Sequence, residues 1–316
     1  MDITALFSAM PGAIAQGLIW GIMAIGVYIT YRVLNMADLT VDGTMCTGGA
    51  VMVVLMTNFN MNIWVALLIA TLVGMLVGLM TGVFHVGFGI PDILAGILSQ
   101  IALYAINLKI MGKSNVPINV DNFGLLVSLR YVKVPFVHTL ASGAHVLNSI
   151  AVIVIFVIVI IAVLYWFFGT EIGSAMRATG CNPNMARAQG INTNVSKILG
   201  LVISNGIVAL SSALLAQYQG FADVNMGRGA IVIGLAAVII GEALFSKIFK
   251  NFALSLLAVA IGGIIYYVVI QIILWCGFDP NLLKLFQAIV VAIFLGFPYW
   301  KRTFFNKSKV VRKEAK

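Results

Sequence analysis

The chain has 316 residues, 61% of them hydrophobic and 9% charged, with a mean hydropathy of +1.07. A soluble domain carries about 25% charged residues, so this polar skin is too thin to cover a water-soluble core. That excludes a soluble enzyme, a secreted disulfide scaffold and a disordered chain, and leaves an all-α polytopic membrane protein. The net charge of +9 is concentrated in 301–316, where seven of the 19 basic residues face only Glu314. A basic tail of this kind belongs beside an anionic cytoplasmic leaflet and implies a lipid partner, not nucleic acid.

No Lys or Arg precedes Arg32, so the first apolar stretch lacks the basic flank of a cleavable signal and reads as a retained transmembrane helix. Segments long enough to span fall at about 9–31, 40–58, 62–87, 91–110, 147–168, 197–217, 229–246, 251–276 and 282–300. Nine spans are expected, within a range of about 8–10. The fifth carries almost no polar atom and suits lipid or a dry bundle. The second and seventh begin with glycines and polar groups and suit a cavity wall. Placing the 301–316 tail inside puts the N-terminus outside. It then assigns Arg32, Arg177, Arg187, Lys197, Lys247, Lys250 and the tail to the inside, 13 of 19 basic residues. Outside fall Lys109, Lys113, Arg130, Lys133, Arg228 and Lys284.

Two connections are long. The external loop 111–146 contains Pro117, Pro135, His138 and His145 and is expected to cap the outer mouth or meet a partner. Its two histidines have no third ligand, and Cys46, Cys181 and Cys276 form no CxxC pair, so no metal site is expected. The loop 169–196 contains two short helix-compatible pieces, about 171–178 and 184–189. Gly180 is expected to end the first, Asn182-Pro183 to start the second and Gly190 to end it. Arg177 and Arg187 project from these pieces, and a short helix-turn-helix on the inner face suits docking into another protein.

Met36-Ala37-Asp38-Leu39 matches Phe221-Ala222-Asp223-Val224 at an offset of 185 residues, which also pairs Gly49 with Gly234. Four spans, one connector and four spans place the copies in opposite orientations, an inverted repeat. The chain then divides into repeat one (1–110), the external loop (111–146), a connector span (147–168), the loop 169–196, repeat two (197–300) and the tail (301–316).

Polar residues within or beside the spans are candidates for a translocation path or gate. Asp38 and Asp42 would share a helical face and repel, so a cap or broken turn is expected there, with Asp38 or Thr40 accepting backbone N–H groups. Asp38 reads either as a helix cap at the inner interface or as a path residue. Asp223 is its repeat counterpart. Glu242 reads either as a headgroup-level residue or as a buried gate. Asn205 and Gln217 pack helices or line a path, and Trp20 lies mid-span, facing core or cavity. No P-loop is present, because Asn107 stands where the first glycine before Gly112-Lys113-Ser114 belongs. The chain reads as a conduit without a motor.

Arg177-Ala178-Thr179-Gly180 followed by Asn182, Ala186 and Gly190-Ile191-Asn192 resembles the inner-loop signature of bacterial ABC importer permeases of the branched-chain amino acid and ribose type. Glu171-Ile172-Gly173, Lys197, the run Asn35 to Gly43 and Met226-Gly227-Arg228-Gly229 fit the same resemblance, which covers about 30–300. Leu215 to Asp223 and Ile240-Gly241-Glu242-Ala243-Leu244 resemble the tryptophan/tyrosine-type subgroup. Branched-chain relatives tend to have glycine where Glu242 stands, which argues against a branched-chain substrate. The resemblance implies an inner-membrane permease working as a homodimer with a cytoplasmic ABC ATPase and an external binding lipoprotein or periplasmic protein. ATP and magnesium would reside on the ATPase and no cofactor on this chain. Arg177, Gly180, Asn182, Pro183, Ala186, Arg187 and Gly190 would form the coupling element. An ion-coupled secondary transporter using Asp38, Asp42 or Glu242, and a non-transporting scaffold, are the other readings.

Overall fold

The computed structural model describes residues 3–118, 123–129, 138–139, 145–146, 149–245, 251–277, 279 and 282–300. The basic tail 301–316, and Arg130, Lys133, Pro135, Lys247 and Lys250, lie outside the described residues. In chain order the helices are α1 (Ile3–Tyr28), continued by a π-helical turn (Ile29–Val33), α2 (Thr40–Phe59), α3 (Ile63–Val86) and α4 (Asp92–Met111). After the long connection come α5 (Ser149–Gly169), α6 (Glu171–Cys181), α7 (Pro183–Ala188) and α8 (Thr193–Gln219). The last three are α9 (Ala230–Phe245), α10 (Phe252–Trp275) and α11 (Leu283–Trp300).

Each of the nine expected spans is helical. Among the described residues, seven are long and apolar enough to cross a membrane: α1 with its π turn, α2, α3, α4, α5, α8 and α10. α9 and the apolar stretch Leu283–Phe294 of α11 are shorter. α9 has 16 residues, about 24 Å at the helical rise, less than a hydrocarbon core of about 30 Å. The all-α expectation needs one amendment. β1 (Asn115–Pro117) pairs antiparallel with β4 (Phe221–Asp223), and β2 (His138–Thr139) with β3 (His145–Val146). The β1–β4 ribbon ties the connection after α4 to the end of α8.

Helices do not associate in lipid through the hydrophobic effect, because lipid is as apolar as leucine; they associate where small residues allow close packing. α8 is the centre. It runs antiparallel to α1, with Ser204 Oγ donating to Gly26 O (2.7 Å), Ser211 Oγ to Ile19 O (2.6 Å) and Tyr218 Oη to Gly12 O (3.1 Å). On its other sides, Gly74 and Gly78 of α3 and Gly48 of α2 sit so close to the α8 backbone that a side chain at any of them would strike it. Gly17 and Gly21 of α1 meet Ile264 and Ala260 of α10 in the same way. α5 stays on the outside, exposing Ile155, Ile158, Val159 and Trp166, which suits a lipid-facing helix. Trp64 is likewise exposed, near the start of α3.

Gly78→Val is expected to lower the thermal midpoint of the purified protein, because the new methyls meet the Leu201 carbonyl; overpacking of this kind costs about 1–3 kcal/mol. Gly169→Ala, into open space, is expected to leave the midpoint unchanged. Fluorescence-detected thermal melts in detergent make the comparison.

Candidate functional site

Both glycine-rich segments break their helices inside the bundle. After the π turn the chain reverses through Asn35, whose φ of 54° is left-handed, and Met36 N–H donates to Thr30 O (2.9 Å). Asp38 follows, 3% exposed. Its Oδ1 accepts from Thr40 N–H (3.0 Å) at the start of α2, and its Oδ2 accepts from Asn205 Nδ2 of α8 (2.8 Å). Asn205 Oδ1 in turn accepts from Thr44 Oγ1 (2.6 Å). Thr40 Oγ1 lies 2.9 Å from Thr81 Oγ1, which donates to Ser99 Oγ at 2.8 Å. A polar chain therefore links α2, α3, α4 and α8. Asn205 is the thirteenth of the 27 residues of α8, so this network lies at mid-bundle. Asp38 accepts from the first amide of α2 and lies level with the middle of α8.

The second break faces the first. α8 ends at Gly220 (φ 79°), β4 follows, and the chain turns back through 224–229 to start α9 beside α2. The backbone N–H groups at a helix start have no partner within the helix and carry a partial positive charge. Asp42, in the first turn of α2, takes two of them: Oδ2 accepts from Gly229 N–H (3.0 Å) and Oδ1 from Ile231 N–H (2.9 Å). Cys46, one turn on, donates to Val224 O (2.9 Å). Gly227 passes so close to the Asp42 carbonyl that any side chain there would collide. Asp38 and Asp42 thus do not face each other. One is held by α8 and the other by α9, which resolves the expected repulsion.

The remaining path candidates scatter. Trp20 is buried, with Nε1 unpartnered and its ring 5.8 Å from that of Tyr267. Gln217 is buried near the ribbon end of α8, where Oε1 accepts from Leu126 N–H (3.2 Å). Asp223 lies in the ribbon and accepts from Asn225 N–H (2.7 Å). Glu242 is one-third exposed and pairs with Arg32 Nε at 2.8 Å, at the end of the bundle away from the ribbon. The structure joins Asp38, Thr40, Asp42 and Asn205 in one region, and it leaves Trp20, Gln217, Asp223 and Glu242 apart from it.

The 169–196 loop forms α6 and α7, beside the Arg32 end. Asn182 caps α7 as the spacing suggests, its Oδ1 accepting from Asn184 and Met185 N–H, both at 3.1 Å, with Pro183 at the first position. Gly190 (φ 81°) lies just beyond it. Gly180 differs from expectation. It lies inside α6, which continues to Cys181, and it is pressed against the Val33 carbonyl, where a side chain would not fit. Arg177 does not simply project. Its Nη2 donates to Phe168 O (2.7 Å) and its guanidinium lies 5.9 Å from the Phe252 ring centre. Arg187 donates through Nε to Thr193 Oγ1 (2.9 Å) and is exposed, as are Asn182, Pro183 and Met185, while Ala186 is buried. α6 and α7 therefore form a braced, exposed knob.

Sequence reasoning passed over Thr44, Thr81 and the polar side of α4. Ser99, Gln100 and Asn107 recur at seven or eight residues, a helical spacing that signals one shared face.

The chain matches, over residues 10–295, the family described as branched-chain amino acid transport system / permease component. It is 39% identical to the tyrosine transport system permease protein of Clostridioides difficile (strain R20291) over 289 residues, 92% of this chain and 91% of that protein. It is 34% identical to an uncharacterized protein of Rickettsia prowazekii (strain Madrid E), over 90% of this chain and 95% of that protein. A shorter stretch, 31% of this chain and 29% of its relative, is 29% identical to an autoinducer 2 import system permease protein of Salmonella paratyphi B. No solved structure matches. The chain belongs to this permease family, as a multi-pass membrane component of an ABC-type transport system.

Asp42→Ala is expected to leave two part-buried amides without an acceptor, a loss of about 1 kcal/mol. Hydrogen–deuterium exchange of the peptide spanning 229–232 is expected to accelerate, while exchange across α3 stays unchanged.

Proposed function

We propose that this permease imports an amino acid, with aromatic ones favoured, handed over by an external binding lipoprotein or periplasmic protein and driven by a cytoplasmic ABC ATPase. The observation that carries the reading is the 39% identity with a tyrosine transport system permease protein across nine-tenths of both chains. The permease works as a homodimer, and ATP with magnesium belongs to the ATPase. The Arg32 end with α6 and α7 faces the cytoplasm of a bacterial inner membrane, and the β1–β4 ribbon faces outward. Arg32, Arg177, Arg187 and Lys197 then lie on the inside, in keeping with the bias of basic residues toward cytoplasmic loops.

The mechanism is alternating access between two inverted repeats, α1–α4 and α8–α11. The reading is supported by reciprocal contacts. The 185-residue offset carries Ile19 to Ser204 and Gly26 to Ser211, so the Ser204–Gly26 and Ser211–Ile19 bonds exchange with each other. The same offset carries the packing of Gly49 on Ser212 into that of Gly234 on Val27, and Gly21 on Ala260 into Gly206 on Met75. Broken helices meeting at a repeat interface are where such transporters handle their cargo. Here that interface holds Asp38, Thr40, Asp42 and Asn205. α6 and α7 are the coupling element. Gly180 against Val33 and Arg177 on Phe168 give the knob a direct hold on the ends of α1 and α5, so a push from the ATPase reaches both. ATP favours one state only through its different affinity for the two.

Cells carrying the gene are expected to take up labelled L-tyrosine faster than a deletion strain. Uptake should stop on ATP depletion and persist when an ionophore collapses ion gradients with ATP maintained. Uptake that survives ATP depletion and fails with the ionophore would overturn the reading in favour of an ion-coupled transporter. In the purified complex, Arg187→Glu is expected to cut stimulated ATPase turnover severalfold. Thr193→Val, which removes the same hydrogen bond without reversing charge, is expected to change it little.

A further inference from the structure

A cavity of about 260 Å³ opens between α2, α4 and the 224–229 segment, lined by Asp42, Cys46, Gln100, Tyr104, Asn107 and Arg228 among others. It adjoins the junction of α2 and α9 through Asp42. Asn107 is fully buried, yet its Oδ1 has no hydrogen-bond partner. A buried carbonyl oxygen left unpaired costs free energy, so such an atom in a cavity wall asks for a donor from whatever fills the cavity. Arg228 has the opposite character. It is exposed, and among the described residues its guanidinium has no carboxylate partner. Arginine offers a planar fork of donors that matches a carboxylate. A charged residue is costly against lipid at membrane depth, so the mouth opens on water or a protein-lined space. The wall thus presents a cation and an unpaired acceptor, with Tyr104 and Ile101 as apolar surface at the mouth. The volume suits a single small metabolite and is below that of drug-sized ligand sites.

We infer that this cavity binds the zwitterionic head of the transported amino acid. Arg228 takes the α-carboxylate, and Asn107 Oδ1, helped by the negative Asp42, takes the α-ammonium. The side chain lies toward Tyr104 and Ile101. The cavity supplies a weak site on the permease itself, next to the helix junction that alternating access must rearrange. This inference rests on the amino-acid reading above and gives it a location.

The test is binding of tritiated L-tyrosine to the full-length protein in nanodiscs. Competitors are tyramine, which lacks the carboxylate, and 3-(4-hydroxyphenyl)propionate, which lacks the ammonium. Each is expected to compete at least about tenfold more weakly than L-tyrosine, since each loses a charge-assisted bond. Arg228→Gln is expected to weaken L-tyrosine about tenfold and leave tyramine unchanged, with partial rescue in Arg228→Lys. Asn107→Leu is expected to weaken L-tyrosine and leave the propionate unchanged. These selective losses separate recognition from misfolding, which would weaken every ligand together. L-tyrosine binding that is equal in wild type and both variants, or no binding to the wild type at all, overturns the inference. The amino-acid reading still stands in those cases if gene-dependent uptake of L-tyrosine persists, and it falls only if that uptake is absent.

Discussion

The Asp42 carboxylate holds two helix breaks together in a place where lipid would tolerate neither alone. A membrane helix can be interrupted only if its freed N–H and C=O groups find partners within the protein. α9 begins inside the bundle, and Asp42 gives its first amides an acceptor and its positive end a negative charge. Asp38 does the corresponding work at the start of α2, backed by Asn205 and Thr44. The polar residues that a hydropathy profile marks as anomalies are the groups that make the broken helices stable.

Around this junction the packing is carried by small residues. Gly48, Gly74 and Gly78 bring α2 and α3 onto α8, while Gly17 and Gly21 bring α10 onto α1. α1 and α8 then lie against each other through serine-to-carbonyl bonds. Helices packed this closely move as units, because a small shift meets backbone atoms and not flexible side chains. Each of these contacts joins a helix of α1–α4 to one of α8–α11, so the two halves of the chain interlock and do not sit side by side. The knob of α6 and α7 is tied to the ends of α1 and α5, so the exposed surface and the central helices are mechanically continuous.

Much of the fold was legible in the sequence. Nine apolar segments gave nine helices, and the glycine-rich starts of the second and seventh marked the breaks. The Asn182-Pro183 cap followed from local rules, because capping chemistry depends on neighbours in sequence. Depth and partnership were not legible. Asp38 read first as an interface cap, since nothing local says that α2 starts level with Asn205, 167 residues away. Gly180 read as a helix terminator, because its actual constraint is the distant carbonyl of Val33. Asn107 and Arg228 are conspicuous in the sequence for other reasons, but nothing local brings them to one cavity. A polar residue late in an apolar helix and a basic residue in a loop acquire meaning only when the 224–229 segment folds back beside α4.

The most direct measurement is the depth of the start of α9 in the bilayer. A spin label at Val232→Cys, which is 43% exposed, can be read with Cys181 and Cys276 replaced by serine. Its accessibility to oxygen and to a water-soluble nickel complex is compared with that of a label at Phe221→Cys in the ribbon. The account predicts that Val232 reports the bilayer centre, with high oxygen and low nickel accessibility, while Phe221 reports the aqueous interface. A Val232 label at headgroup depth, level with Phe221, would mean that α9 starts at the surface, and it would contradict the paired helix breaks on which the account rests.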